Sequence, residues 1–170
     1  EANGRYDGTS RFTKKHRFGF FPSFSGAWVI SNEKFYQPVK EVMNIAKFRA
    51  SYGWLGNQNV GYYEYISNMS FYECTYLLEG KKTTGVGSPS PISDDLTWEK
   101  VNTMNLGLDL AFFKNRLTIS GDIYRRNTKD MLTKGKTLPG VFGVDPPRQN
   151  AADLKTEGWE FSIGWQDNFS

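Results

Sequence analysis

The sequence predicts an all-β chain: an antiparallel transmembrane β-barrel segment of about six strands, with long extracellular loops and one short helical connection. Three observations predict it. The first is the run Phe18-Gly-Phe-Phe-Pro-Ser-Phe-Ser-Gly-Ala-Trp-Val-Ile30. Read at period two, Phe18, Phe20, Pro22, Phe24, Gly26, Trp28 and Ile30 share a greasy face, and Gly19, Phe21, Ser23, Ser25, Ala27 and Val29 share a smaller, more polar one. The run outlasts the about five or six residues of a usual soluble strand and covers the about nine to eleven that cross a bilayer at a tilt. The second is the alternation of connections. Segments 55–96 and 131–155 are long and 113–115 is very short, as in membrane barrels with loops outside and tight turns inside. The 31–45 connection is longer than that rule expects. The third is the placing of aromatic residues. Phe18, Phe20, Tyr52, Trp54, Trp98, Tyr124 and Trp159 fall near the outer end, and Trp28, Phe48, Phe112 and Trp165 near the inner end, as two interfacial girdles require.

Each element follows from its residues. Positions 1–6 read as the end of a strand, and the chain reads as a piece of a longer protein. Asp7-Gly8-Thr9-Ser10 is turn chemistry, and the polar segment to Arg17 closes a loop. After the strand 18–30 the alternation lapses. Val39, Val42 and Met43 stand at helical spacing and Pro38 suits a first helical turn, so a short helix or irregular connection is expected. Alternation returns at 46–54, with Ala46, Phe48, Ala50, Tyr52 and Trp54 against Lys47, Arg49, Ser51 and Gly53. A slip of one residue would put Lys47 and Arg49 in lipid, at about 2–4 kcal/mol per charge near the midplane, so the register is well specified. Two strands follow at 97–112 and 116–130. The first sets Met104, Leu106, Leu108, Leu110 and Phe112 against Thr103, Asn105, Gly107, Asp109 and Ala111; a tight turn at Phe113-Lys-Asn-Arg116 leads to the second. The last strand, 156–166, sets Trp159, Phe161, Ile163 and Trp165 against Glu160, Ser162, Gly164 and Gln166.

Composition narrows the function classes. The 170 residues have no run of about 20 apolar residues, which excludes helical spans and leaves barrel strands open. A net charge of +3 from 21 basic and 18 acidic residues argues against nucleic acid as a partner. Cys74 and His16 are the sole residues of their kinds, so no disulfide, cysteine cluster or histidine-based metal site or triad forms within the chain. No catalytic set, metal site or cofactor is expected. Asp94-Asp95 reads as a solvated turn, and Gly85-Val-Gly-Ser88 lacks the lysine and helix of a phosphate loop. The candidate substrate- or lid-contacting residues are the loop tyrosines Tyr62, Tyr63, Tyr65 and Tyr72, whose flat faces and hydroxyls suit sugars, peptides or a protein surface. The polar residues expected on the lumen face are Arg49, Asp109, Asp122 and Glu160, as substrate contacts or as partners of one another. The same alternation also permits a different class of protein, a soluble β-sandwich that binds carbohydrate.

Six motifs then occur in order: Arg5-Tyr-Asp-Gly-Thr-Ser-Arg-Phe12, Gly19-Phe-Phe-Pro-Ser-Phe-Ser-Gly-Ala-Trp28, Phe48-Arg-Ala-Ser-Tyr-Gly53 with Leu55-Gly-Asn-Gln-Asn59, Trp98-Glu-Lys100 with Asn105-Leu-Gly-Leu-Asp109, Asn115-Arg-Leu117, and Thr156-Glu-Gly-Trp-Glu160. Together the chain resembles the barrel of the SusC/RagA-family TonB-dependent outer-membrane transporters. Departures at Gly26 and at Thr156-Glu157 touch strand detail. The resemblance implies a bacterial outer-membrane location and import of bulky nutrients, oligosaccharides or peptides, with no enzymatic activity. It implies a barrel of about 22 strands around a plug. It also implies a SusD-like surface lipoprotein, energising by the TonB complex, contact with outer-membrane lipid and a nutrient ligand. Residues 1–170 would then be part of the barrel domain without its plug. An open sheet of this size leaves two edges that hydrocarbon does not tolerate, so the piece is not expected to transport alone.

Overall fold

The computed structural model describes residues 1–167. The described residues form eight strands: β1 (Ala2–Gly8), β2 (Phe18–Val29), β3 (Met43–Asn57), β4 (Phe71–Leu78), β5 (Lys81–Val86), β6 (Glu99–Phe112), β7 (Leu117–Lys134) and β8 (Arg148–Trp165). Six of them form one antiparallel sheet in the order β1-β2-β3-β6-β7-β8, and β4 and β5 pair with each other as a separate hairpin. The sheet is an open barrel wall with β1 and β8 at its edges. No helix among the described residues is long and apolar enough to cross a membrane.

The register puts the alternating residues where the pattern requires. Phe24 faces Tyr52, Trp28 faces Phe48, Phe48 faces Leu108, and Ile123 faces Trp159, so one face carries a continuous apolar surface. Much of it is open: Phe20 is 62% exposed, Phe161 62%, Ile163 63% and Trp165 62%. An apolar face of this extent has no stable place in water and a natural one in hydrocarbon.

Three connections differ from the pattern's expectation. The long connection from Gln58 to Trp98 holds the β4–β5 hairpin, whose strands expose most of both faces and so lack the half-buried alternation that marks a strand in sequence. The second long loop shortens to 135–147 because β7 and β8 run on past a bulge at Thr128–Met131, where Asp130 takes φ +58°. Asn150 braces that bulge: its amide nitrogen donates to the carbonyls of Asp130 (2.6 Å) and Thr97 (3.0 Å), and its oxygen accepts from the Thr97 amide (3.0 Å). Between β2 and β3 the chain makes two short 3-10 helices, Ile30–Asn32 and Lys34–Val39, with Pro38 inside the second rather than opening a helix.

The tight turn after β6 holds Phe113, Lys114 and Asn115 at φ +52°, +57° and +67°. Such backbone persists only where neighbours hold it. Here the side-chain oxygen of Asn44 accepts from the amides of Lys114 (2.5 Å) and Asn115 (3.4 Å), and the Phe113 amide donates to the Val42 carbonyl (2.9 Å).

A small core lies at the long-loop end. Phe12, Phe21, Val60, Leu96 and Trp98 are buried together, with Trp54 and Leu132 packed against them. Its origin is Pro22. Lacking an N–H, Pro22 ends the β2–β3 ladder, which begins at Ser23–Gly53. The ring of Phe21 lies beyond that point against Gly19 and Gly56, where a Cβ at either glycine would strike it. Trp98 meets Phe21 edge-on at 5.5 Å and Phe12 at 5.6 Å. Trp98 is therefore core and not part of an outer aromatic girdle. Tyr124 also leaves that girdle: its ring covers Gly158 on the opposite face. Trp54 is drawn toward the core.

Candidate functional site

On the face opposite the apolar one, strands β3, β6 and β7 bring three charges together. Arg49 grips Asp109 with two parallel hydrogen bonds, Nε to Oδ2 at 2.8 Å and Nη2 to Oδ1 at 3.0 Å. Its Nη2 also reaches Oδ2 of Asp122 at 3.0 Å. The planar guanidinium suits this bidentate geometry, which a lysine would not reproduce. Register explains the reach. Arg49 faces Gly107, and Gly107 faces Asp122, so Arg49 must cross a whole strand to touch Asp122. It does so over Gly107, where a Cβ would collide with both the guanidinium and the Asp122 carboxylate. The side chains remain about a third exposed or less, at 35%, 33% and 22% for Arg49, Asp109 and Asp122. Asp122 keeps Oδ1 buried without a hydrogen-bond partner. Glu160 faces Asp122 in register but is exposed and stays outside the triad's hydrogen bonds.

Three of the four polar residues predicted for this face thus form one cluster, and the fourth flanks it. What pattern reading missed is Gly107, whose signal was available: a glycine on the polar face between strands bearing Arg and Asp. Gly107→Val is expected to break the Arg49–Asp122 contact and cost about 1–3 kcal/mol by overpacking. In Arg49→Ala the same change should cost clearly less; a double-mutant cycle on the full-length receptor's unfolding checks this, and strict additivity would refute the coupling.

The tyrosines divide differently. Tyr62, Tyr63 and Tyr65 lie together at the start of the long connection. Arg11 fixes this segment: its guanidinium stands 4.4 Å over the Tyr62 ring and donates to the carbonyls of Val60 (2.8 Å) and Gln58 (3.2 Å). Tyr63 and Tyr65 meet edge-on at 6.2 Å. Tyr62 and Tyr63 then line a hollow of about 270 Å³ with Ile66, Pro91 and Arg148, between the two long loops. Tyr62 is 75% exposed, so its face is available. Tyr72 is elsewhere, on β4, with its ring over Gly85 of β5. On the same hairpin the buried Cys74 thiol beside Tyr76 holds that phenol above its ordinary range. Among the described residues no group of three or more His, Cys, Asp or Glu is placed to hold a metal ion.

An antiparallel wall with one apolar face, one ion-paired face, a tight turn and a short helical connection at one end and long loops at the other is a segment of an outer-membrane β-barrel. The chain belongs to the family described as TonB dependent receptor-like, beta-barrel, whose model matches residues 1–170, and within it to the SusC/RagA type. It is 38% identical over 160 residues to TonB-dependent receptor P3 of Formosa agariphila, covering 94% of this chain and 16% of that protein. It is 35% identical over 164 residues to TonB-dependent receptor SusC of Bacteroides thetaiotaomicron, again covering 94% of this chain and 16% of the relative. Among solved structures it is similar to the RagAB peptide importer in the closed-closed state, with a TM-score of 0.84, 29% identity, and coverage of 99% of this chain and 18% of that one. The RagAB peptide transporter gives 0.80 at 30% identity, covering 95% and 17%. The chain therefore spans about a sixth of the length of these relatives. This is a family of outer-membrane receptors and not of enzymes.

Proposed function

We propose that this chain forms part of the barrel wall of a TonB-energised importer of bulky nutrients, oligosaccharides or peptides, that works with a SusD-like surface lipoprotein. The observation that supports this most is the overlay of 99% of the chain on the RagAB peptide importer, long loops included. In this reading the Arg49–Asp109–Asp122 face lines the lumen and holds adjacent strands in register beside the plug, with Glu160 open to the plug or the passing cargo. Tyr62, Tyr63 and Tyr65 present a flat, hydroxyl-bearing surface to cargo or lid at the outer mouth, and Tyr72 adds a contact on the projecting hairpin.

Deleting the gene for the full-length receptor should abolish growth on one oligosaccharide or on peptides as the limiting nutrient, and capture of the receptor should bring down a surface lipoprotein. Undiminished growth on every such source would overturn the reading. Alanine at Tyr62, Tyr63, Tyr65 and Tyr72 together should weaken ligand or lipoprotein binding about tenfold or more, as loss of aromatic anchors does. Unchanged affinity at normal membrane levels would show that these rings serve only to pack the loop.

A further inference from the structure

The outward apolar stripes of three neighbouring strands stop at adjacent rows. On β6 the stripe ends at Met104 and gives way to Asn102 and Lys100. On β7 it ends at Ile123 and gives way to Arg125, Asn127 and Lys129; on β8 it ends at Trp159 and gives way to Glu157 and Lys155. In register, Arg125 faces Met104 and Glu157, Asn127 faces Asn102 and Lys155, and Lys129 faces Lys100. Same-face rows are about 7 Å apart along a strand, so the four cations fit within a patch the size of a lipid headgroup. The patch is at the long-loop end, on the lipid side, where the apolar band closes. That is the level of the outer-leaflet headgroups.

The chain does not balance these charges itself. Glu157 lies between two cations, Arg125 Nε at 2.5 Å and Lys155 Nζ at 3.1 Å. Lys100 and Lys129 are directly opposed across β6 and β7, an arrangement that repels. Asp130, 3.7 Å from Lys100, and Asp153, whose Oδ1 accepts from the Asp130 amide at 3.2 Å, join Glu157 here, which leaves three carboxylates against four cations. Directly below, the outward face is hollowed. A wholly apolar furrow of about 570 Å³ lies over Gly121, walled by Leu106, Leu108, Ile123, Trp159 and Phe161. A cationic rim above an apolar furrow is complementary to a phosphate group joined to an acyl chain, and arginine favours phosphate for its fork of donors.

We propose that Lys100, Arg125, Lys129 and Lys155 form a binding site for the phosphorylated glycolipid of the outer leaflet, the lipid A end of lipopolysaccharide, with one acyl chain in the furrow over Gly121. The inference rests on the outer-membrane location and is independent of what cargo the receptor carries. The phosphate occupies the space between Lys100 and Lys129 and turns a repulsive pair into two charge-assisted contacts.

The test uses the full-length receptor purified in detergent, stripped of lipid, and titrated with lipid A or with its dephosphorylated form. The unsubstituted receptor should bind lipid A at least about tenfold more tightly than the dephosphorylated form. The variant with glutamine at all four positions should lose that preference. Lys134→Gln, beyond the patch, should keep it. Because the fourfold variant could fail to fold, Lys129→Gln provides a second reading. Without lipid A it should unfold at a higher temperature than the unsubstituted receptor, since the opposed lysines are relieved; with lipid A the order should reverse. Equal binding of the two glycolipids, or equal stabilisation of Lys129→Gln and the unsubstituted receptor by lipid A, would overturn the proposal.

Discussion

Phe21→Ala in the full-length receptor is expected to cost about 3–5 kcal/mol, the range for removing a buried aromatic ring. Phe21 is 6% exposed and fills the gap that opens where Pro22 ends the β2–β3 ladder. The alanine variant would leave Gly19 and Gly56 facing a void and strip Trp98 of its edge-on partner. Because the same core holds Phe12 and Val60, the loss should spread to the segment that Arg11 and Tyr62 organise. Thermal unfolding and limited proteolysis of the Gln58–Trp98 connection would measure it: a large drop in midpoint together with faster cleavage in that connection. The comparison is Phe24→Ala, three residues along the strand on the outward face and 54% exposed, which should lose much less and leave the loop intact. Similar losses in both variants, with no change in cleavage, would mean that the loop-end core does not hold the loops.

Leu108→Arg is expected to cost about 2–4 kcal/mol in a bilayer, as a charge on the lipid face near the midplane does. Leu108 pairs with Phe48 on one side and Gly121 on the other, well inside the apolar stripe. Ser120→Arg is the control. It lies on the opposite face, directly across from Asp109, where a cation meets a carboxylate. Denaturant midpoints in lipid vesicles should separate the two variants, with Leu108→Arg far the weaker and Ser120→Arg near the unsubstituted receptor. Equal penalties would place protein, not lipid, against Leu108 and would reverse the assignment of the two faces.

Much of this molecule is legible along the chain because a barrel strand is a local object. Side chains alternate every residue whatever the strand pairs with, so Phe24, Leu108 and Ile163 declare the lipid face and Arg49, Asp109 and Asp122 the other before any partner is known. The turn at Phe113–Asn115 and the order of long and short connections are equally local. The family motifs added the identity of the whole.

What alternation could not reach was decided between segments far apart in sequence. The core of Phe12, Phe21, Val60, Leu96 and Trp98 joins a loop, a strand and the far ends of a long connection, and no periodicity links those positions. Its existence follows from one missing N–H at Pro22, a local fact whose consequence appears only once β3 lies alongside. Asn44 holding the turn after β6, Asn150 bracing the bulge of β7, and Gly107 letting Arg49 cross to Asp122 are of the same kind. So is the division of the tyrosines, three at the start of the long connection and one on a hairpin whose exposed strands carry no alternation. Pattern along the chain specifies which way each side chain points; only pairing between strands specifies what it meets there.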